Sequence, residues 1–291
     1  MVKTFTMDER PHARTKSKTL EQAERLGLYL VLLIVSVAVV FPFIYMVMTS
    51  LKPEVDVVTF PPRLLPRALT FENYINIWSR VPFEIFFRNS LLFAGLVTLI
   101  ALFFDSLCAF GLARLNLPGK DAIFFFILAT MMIPLQVTMI PLFITIFKLG
   151  WMNTLAGLVV PRATNAFGIF MLRQFFISLP KELEDAARID GCSDFRIYWQ
   201  IILPLSKPVM MTLAVFHFMY NWNDFLWPLI MTTSIQMRTL PAGLALFMGQ
   251  HVVEYAILMA GATISLAPLL IAFLFAQQYF VQGIAMTGIK E

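Results

Sequence analysis

The feature of this sequence that most constrains its fold is a series of long apolar runs. A helix that crosses a bilayer needs about 20 predominantly apolar residues. Because backbone N–H and C=O groups must be paired inside lipid, we expect each long apolar run to be a helix. The runs predict an all-α integral membrane protein with six transmembrane helices: Gly27–Met48, Asn89–Gly111, Ala122–Ile146, Leu155–Leu172, Pro208–Met231 and Leu258–Val281.

The composition supports a membrane protein and excludes several other classes. The chain is 59% hydrophobic and 14% charged, whereas soluble domains contain about 25% charged residues. These values exclude a disordered chain and most soluble enzymes. The basic residues fall between the apolar runs and form no continuous patch, so we expect no nucleic-acid partner. Cys108 and Cys192 belong to no CxxC or Cys/His set, so neither a disulfide scaffold nor a metal site is predicted.

The distribution of basic residues predicts the orientation in the membrane. If the two termini and the second and fourth loops share one side, that side carries 14 of the 22 Lys and Arg residues. Basic residues are enriched in cytoplasmic loops. We therefore expect both termini in the cytoplasm. The predicted organisation is a cytoplasmic tail over 1–26, a six-helix transmembrane domain over 27–281 with a cytoplasmic loop over 178–207, and a cytoplasmic tail over 282–291.

The loop over 178–207 is the most informative segment outside the spans. Lys181–Ile189 is rich in helix-forming residues, with Pro180 before it and Gly191 as a plausible C-terminal cap. Acidic residues near its start favour the positive end of the helix. A second helical stretch follows, and we expect Pro204 and Pro208 to break it before the fifth span. The pattern predicts a short helix beside the membrane, with exposed carboxylates, that docks on a cytoplasmic partner.

This loop resembles the EAA loop of the inner-membrane permease subunits of ATP-binding cassette importers. In that family Glu-Ala-Ala is followed at fixed offsets by Gly, Ile and Leu-Pro. Here the pattern reads Asp185-Ala186-Ala187, Gly191, Ile201 and Leu203-Pro204, with Asp in place of the usual Glu. The resemblance implies that the loop transmits the motion of an ATPase, and that the coupling residues are Glu184, Asp185, Ala186, Ala187, Asp190, Gly191, Leu203 and Pro204.

Other segments resemble the carbohydrate branch of the same family. They are the outer-loop segment that begins at Leu69, the pair Asn89-Ser90, and the stretch from Asn221 to Phe225. The chain is similar to the smaller permease of maltose and glycerol-3-phosphate type systems. The resemblance implies a prokaryotic inner-membrane protein that pairs with a second permease, an ATPase dimer and an extracytoplasmic solute-binding protein. It also implies that ATP and Mg²⁺ bind to the ATPase, with no cofactor on this chain.

Polar residues within the predicted spans are candidates for the translocation path. His217, Asn221 and Asp224 lie at i, i+4 and i+7 of the fifth span and therefore share one stripe. They either line the path or join helices by hydrogen bonds. The resemblance favours gating or packing, because it implies that the larger permease makes most of the sugar contacts. Gln136, between two prolines of the third span, is a further path candidate.

Two more charged positions receive structural interpretations. We expect Asp105 in the second span to pair with a basic residue near the inner surface, Arg114 or Arg173. On the loop we expect a local pair between Arg188 and Asp190. Within the spans Arg162 is the one basic residue near the path, which favours a neutral sugar over a phosphorylated solute.

No catalytic residue is predicted. The sequence contains no GxxxxGK[ST], GxSxG or HExxH motif. A second hypothesis is a transporter driven by an ion gradient, with Asp105, His217 and Asp224 as coupling residues. A third is an assembly subunit that carries no solute. Against the second, the sequence shows no obvious inverted repeat.

Overall fold

The computed structural model describes residues 18–61, 63–250 and 254–288. Fifteen α-helices lie in these ranges. They are α1 Lys18–Ser50, α2 Glu54–Val57, α3 Glu72–Arg80, α4 Phe83–Arg114, α5 Lys120–Thr130, α6 Leu135–Lys148, α7 Leu155–Val159, α8 Ala166–Ser178, α9 Glu182–Ile189, α10 Asp194–Ile197, α11 Leu203–Leu205, α12 Lys207–Trp222, α13 Leu226–Met231, α14 Leu240–Gln250 and α15 Tyr255–Gly288. The described part of the chain is helical and contains no strand.

Three described helices are long and apolar enough to cross a membrane unbroken: Arg25–Ser50 of α1, Phe83–Arg114 of α4 and Tyr255–Gln278 of α15. Three helix pairs reach the same length only together. The pair α5 and α6 bends by 97°, α7 with its 3₁₀ extension and α8 bend by 42°, and α10–α11 and α12 bend by 80°. The number of spans is therefore three, or as many as six if each bent pair is one span.

The prediction of six continuous helices is therefore wrong for three of the runs. Ala122–Ile146 is interrupted between Thr130 and Leu135, where Pro134 has no N–H to donate to a preceding turn. Leu155–Leu172 is interrupted before Asn165, whose side chain caps α8 by accepting from the N–H of Phe167 at 2.8 Å. Pro208–Met231 is interrupted after Trp222.

Helix α4 is the central element and packs against α8 and α12. Its buried side follows a four-residue spacing, as the contact stripe of a helix requires. Two positions of this stripe are alanines, whose small side chains let neighbouring helices approach closely. The stripe consists of Phe93, Val97, Ala101, Asp105 and Ala109, all at most 1% exposed.

The segment between α1 and α4 forms hydrogen bonds with the end of α1 and with the start of α15. Asn73 donates to the carbonyls of Ser50 and Lys52 at 2.8 and 2.7 Å. The carboxylate of Glu54 accepts the N–H groups of Tyr255 and Ala256, at 3.0 and 2.8 Å, and so satisfies the first turn of α15. Along the membrane, α1 packs on α15.

The predicted tails fall only partly within the described residues. Helix α1 begins at Lys18 and α15 continues to Gly288, so helix extends into both predicted tails. Residues 1–17 and 289–291 lie outside the described residues.

Candidate functional site: a cleft within the helices and the loop below it

A cleft of about 1330 Å³ opens between the broken helices. Its walls come from the three interruptions: residues 131–134, residues 161–165 and residues 223–225 all line it or border it. Non-helical backbone at membrane depth is tolerated only where protein or a water-filled cavity surrounds it. The three interruptions therefore meet at this cleft.

Three of the four sequence-predicted path residues lie at this cleft. His217, Asn221 and Asp224 line it, whereas Gln136 lies outside the lining. The predicted common helical stripe is wrong for Asp224. Helix α12 ends at Trp222, so Asp224 lies in the turn that follows and reaches the cleft from there.

Asp224 forms an ion pair with Arg162 across the cleft wall, with the two side chains 11% and 12% exposed. The guanidinium also lies 5.4 Å from the ring centroid of Tyr220 and 5.7 Å from that of Trp227, which are cation–π distances. The other carboxylate oxygen of Asp224 accepts the N–H of Trp227 at 3.2 Å. This ion pair was not predicted from the sequence. A signal for it existed, because an intramembrane charge requires a partner of opposite sign.

Asp105 lies behind the cleft and joins three helices. One carboxylate oxygen accepts from the Thr164 hydroxyl at 2.7 Å and from the Asn165 N–H at 2.9 Å. The other lies 3.2 Å from Nε2 of His217. The predicted pairing with Arg114 or Arg173 is wrong. Arg114 is nine residues further along α4, about 13 Å at ~1.5 Å per residue, which is too far for contact.

On the cytoplasmic loop, the predicted helix over Lys181–Ile189 is confirmed as α9, Glu182–Ile189. Gly191 follows with a φ of +79°, the left-handed conformation that glycine adopts without steric cost. The N–H of Gly191 donates to the carbonyl of Arg188 and that of Cys192 to Ala187, at 3.0 and 2.9 Å. These two bonds form a Schellman motif, which ends α9 sharply.

The carboxylates of α9 do not all face outward. Asp185 is exposed, with 68% of its side chain accessible. Glu184 is 3% exposed and pairs with Nε of Arg114 at 2.9 Å, so the prediction of exposed carboxylates is wrong for Glu184. Burial raises the pKa of Glu184 above its ordinary value, and Arg114 opposes that rise by favouring the carboxylate.

Arg188 does not form the predicted pair with Asp190. It instead contacts three other carboxylates of the loop, those of Glu184, Asp185 and Asp194 at 3.7, 3.3 and 3.3 Å. Position i+2 on a helix points elsewhere, whereas i−3 and i−4 share a face with Arg188.

The remaining pattern residues of the loop lie on a helical segment that leads to α12. A π-helical turn over Tyr198–Ile202 leads into α11, and Pro204 lies within that helix. The predicted break before the fifth span lies between Pro204 and Pro208, each of which occupies the first turn of its own helix. The bend occurs at Ser206. Of the remaining coupling candidates, Ala187 is buried, Leu203 is half-buried, and the exposed ones are Ala186, Asp190, Gly191 and Pro204.

Comparisons with known proteins agree with this architecture. A model of the family "binding-protein-dependent transport system inner membrane component" matches residues 106–286. The arabinooligosaccharides transport system permease protein AraQ of Halalkalibacterium halodurans is 35% identical, over 86% of this chain and 91% of the relative. The trehalose/maltose transport system permease protein MalG of Thermococcus litoralis is 34% identical, over 93% and 98%.

The fold also matches a solved structure. A crystal structure of a bacterial ABC transporter involved in the import of the acidic polysaccharide alginate has a TM-score of 0.82. The match covers 92% of this chain and all of the compared chain, at 23% sequence identity.

Proposed function

This chain belongs to the family of binding-protein-dependent transport system inner membrane components, and on that premise we propose how it works as the permease subunit of an ATP-driven importer for a sugar or related polyol. The sugar class is supported by the names of the relatives, which include permeases for arabinooligosaccharides and for trehalose and maltose. The ion-gradient alternative is set aside, because members of this family depend on a binding protein.

In the proposed topology the chain crosses the membrane six times with both termini in the cytoplasm: α5 with α6 and α7 with α8 each form one span, and α12 with α13 forms the fifth. The 22 Lys and Arg residues support this orientation through their unequal distribution between the two sides. The loop between Ser178 and Lys207 then faces the cytoplasm, with α9 as the coupling helix.

The observation that carries the proposed coupling is the exposed surface of this loop. Asp185 projects from α9, and large apolar side chains lie exposed beside it on a segment outside the proposed spans. Their exposed fractions are 87% for Ile189, 62% for Phe195 and 55% for Trp199. Exposed apolar side chains next to a carboxylate are suited to a groove on a partner.

The proposed partners follow from this assignment. A second permease completes the path, an extracytoplasmic binding protein delivers the solute, and an ATPase dimer docks on α9. ATP and Mg²⁺ bind to the ATPase, and this chain is a non-catalytic subunit without a cofactor of its own.

Two connections lead from the proposed docking surface to the cleft. The buried pair between Glu184 and Arg114 joins α9 to the end of α4. The π-helical turn and α11 continue from the loop into α12, which carries His217 and Asn221. A rigid displacement of α9 by the ATPase thereby moves α12, which lines the cleft, and α4, which packs behind it, and the path opens alternately to either side.

The proposed assembly is tested by purifying a tagged chain from its native membrane in mild detergent and identifying the proteins that accompany it by mass spectrometry. We expect a second permease, an ATPase and, at least in part, a binding protein. Recovery of the chain alone, or as a homo-oligomer, would contradict the proposal.

A substitution at Gly191 tests the coupling role of the loop. Gly191→Ala places a side chain at a φ of +79°, a strain of about 1–2 kcal/mol. We expect it to displace the end of α9 and to lower sugar uptake per ATP hydrolysed at least fivefold in the reconstituted importer.

Gly119→Ala is the matched control, since Gly119 has a φ of +75° and, like Gly191, no atom within 4 Å of an added Cβ. It lies in the short turn before α5, on a different loop from the proposed docking surface. Equal losses of uptake in both variants would show that backbone strain alone, without the coupling loop, explains the effect.

A further inference from the structure

We infer that this chain itself contacts the transported solute, and that its cleft carries a contact site for a neutral sugar formed by Asn221, Tyr220 and the Arg162–Asp224 pair. The inference rests on the proposed function, because it names the solute class and the residues that touch it along the same path. It differs from the expectation drawn from family resemblance, in which the larger permease makes most of the sugar contacts.

Asn221 carries a buried hydrogen-bond acceptor for which the described residues supply no donor. Its residue is 3% exposed and lies on the cleft wall. The side-chain N–H₂ donates to the carbonyl of His217 at 2.8 Å, whereas Oδ1 is buried without a hydrogen-bond partner. An unpaired buried acceptor is costly, so such groups call for a functional explanation. A sugar hydroxyl supplies the donor that this oxygen lacks.

The charges of the cleft favour a neutral solute. Arg162 and Asp224 are the lining residues with a formal charge, and they neutralise each other in an ion pair. An anionic solute has to compete with Asp224 for the guanidinium, and it is repelled by the carboxylate. A neutral polyol avoids both penalties, since its hydroxyls accept from Arg162 and donate to Asp224 without disturbing the charge balance.

Tyr220 provides the apolar part of the proposed site. It lines the cleft with 57% of its residue surface exposed, and the guanidinium of Arg162 lies 5.4 Å from its ring centroid. A sugar ring has a C–H face and a rim of hydroxyls. A flat aromatic ring beside paired polar groups matches both parts, as is usual in small-molecule sites.

The test uses the complete importer, with its second permease, ATPase and binding protein, reconstituted in liposomes. Uptake per ATP hydrolysed is measured separately for arabinotriose, maltose, trehalose, glycerol 3-phosphate and digalacturonate. We expect the unmodified importer to move at least one of the three neutral sugars and neither anion.

The decisive variant is Asn221→Ser. A serine hydroxyl can donate to the carbonyl of His217, as the Thr212 hydroxyl donates to Pro208 in the same helix at 2.9 Å. The variant thus keeps the bond within α12 and removes the unpaired amide oxygen. We expect Asn221→Ser and Asn221→Leu both to lower sugar uptake per ATP at least tenfold. The matched control Gln136→Leu, outside the cleft lining, should stay within twofold of the unmodified importer.

The outcomes separate the contact site from the proposed function. If the unmodified importer moves a neutral sugar and Asn221→Ser retains its uptake per ATP, the amide serves helix packing and the contact site is wrong. Uptake of either anion at a rate comparable to the sugars would overturn the neutral solute class. If ATP drives uptake of none of the five solutes, the proposed function fails and the contact site fails with it.

Discussion

Replacing Arg114 by alanine is expected to lower the free energy of unfolding by about 3–5 kcal/mol, the usual effect of removing one partner of a buried ion pair. The side chains of Arg114 and Glu184 are 2% and 3% exposed, so the variant leaves a carboxylate buried without its counter-charge. The guanidinium also donates to the carbonyl of Leu179 at 2.6 Å, at the end of α8. The measurement is the melting temperature of the purified complex in detergent, together with its ATP-driven sugar uptake.

Arg188→Ala is the matched control, since Arg188 contacts the same carboxylate of Glu184 from the exposed side, at 3.7 Å. Its side chain is 41% exposed, and exposed ion pairs contribute only about 0.2–1 kcal/mol. Similar destabilisation by the two substitutions would contradict the role assigned to burial.

The effect of Arg114→Ala should depend on pH. Burial raises the pKa of Glu184, and removal of Arg114 takes away the charge that opposes this rise. A carboxyl group with a raised pKa binds more protons in the folded state, so stability falls as the pH rises through that pKa and recovers as the pH is lowered. We expect the variant to regain melting temperature between pH 7.5 and pH 5.5 relative to the parent.

The double variant Arg114→Ala/Glu184→Gln is the control for this pH dependence. It has no titrating group at position 184, and it should lose the extra recovery at low pH. Recovery of the same size in the double variant would assign it to other carboxyl groups.

The second large effect is expected for Gly168→Ala in α8. An added Cβ would lie 2.1 Å from Oδ2 of Asp105 and 3.1 Å from Nε2 of His217. The carboxylate must then move, which disturbs its contacts with Thr164, Asn165 and His217. Overpacking and lost buried hydrogen bonds together should cost about 3 kcal/mol or more. The drop in melting temperature of the purified complex in detergent measures this cost.

Gly95→Ala makes the same chemical change in α4 at a position with no atom within 4 Å of the added Cβ. It should stabilise by about 0.5–1 kcal/mol through helix propensity. A further test is the pair Gly168→Ala/Asp105→Ala. If the clash between the added Cβ and the Asp105 carboxylate causes the destabilisation, the double variant loses less stability than the two single variants lose together.

Local signals in the sequence were sufficient for some elements and insufficient for others. The apolar runs located the membrane helices, and the composition of Lys181–Ile189 with Gly191 located α9 and its end. Two interruptions of the bent helices were missed although Pro134 and Asn165 mark them locally. The third, after Trp222, is held by a partner distant in sequence. Asp224 in this turn is fixed by Arg162, 62 residues earlier.

The sequence likewise could not predict which coupling candidates are buried and which are exposed. Glu184 and Asp185 are neighbours with similar chemistry, yet one is buried and the other exposed. Which of them turns inward depends on where Arg114 at the end of α4 meets α9, and that is a property of tertiary packing. The acidic pair therefore predicted the presence of a carboxylate on the surface, and could not predict which residue carries it.

The contact between α1 and α15 has a consequence for biosynthesis. The window of α1 that crosses the membrane buries none of its residues inside the chain, and its principal packing neighbour is the last helix. The carboxylate of Glu54, just beyond α1, caps α15 across a separation of 201 residues. Because synthesis proceeds from the N-terminal side, α1 leaves the ribosome before α15 and waits for this neighbour while the residues between them are made. Lipid or an insertion chaperone must cover α1 during that interval.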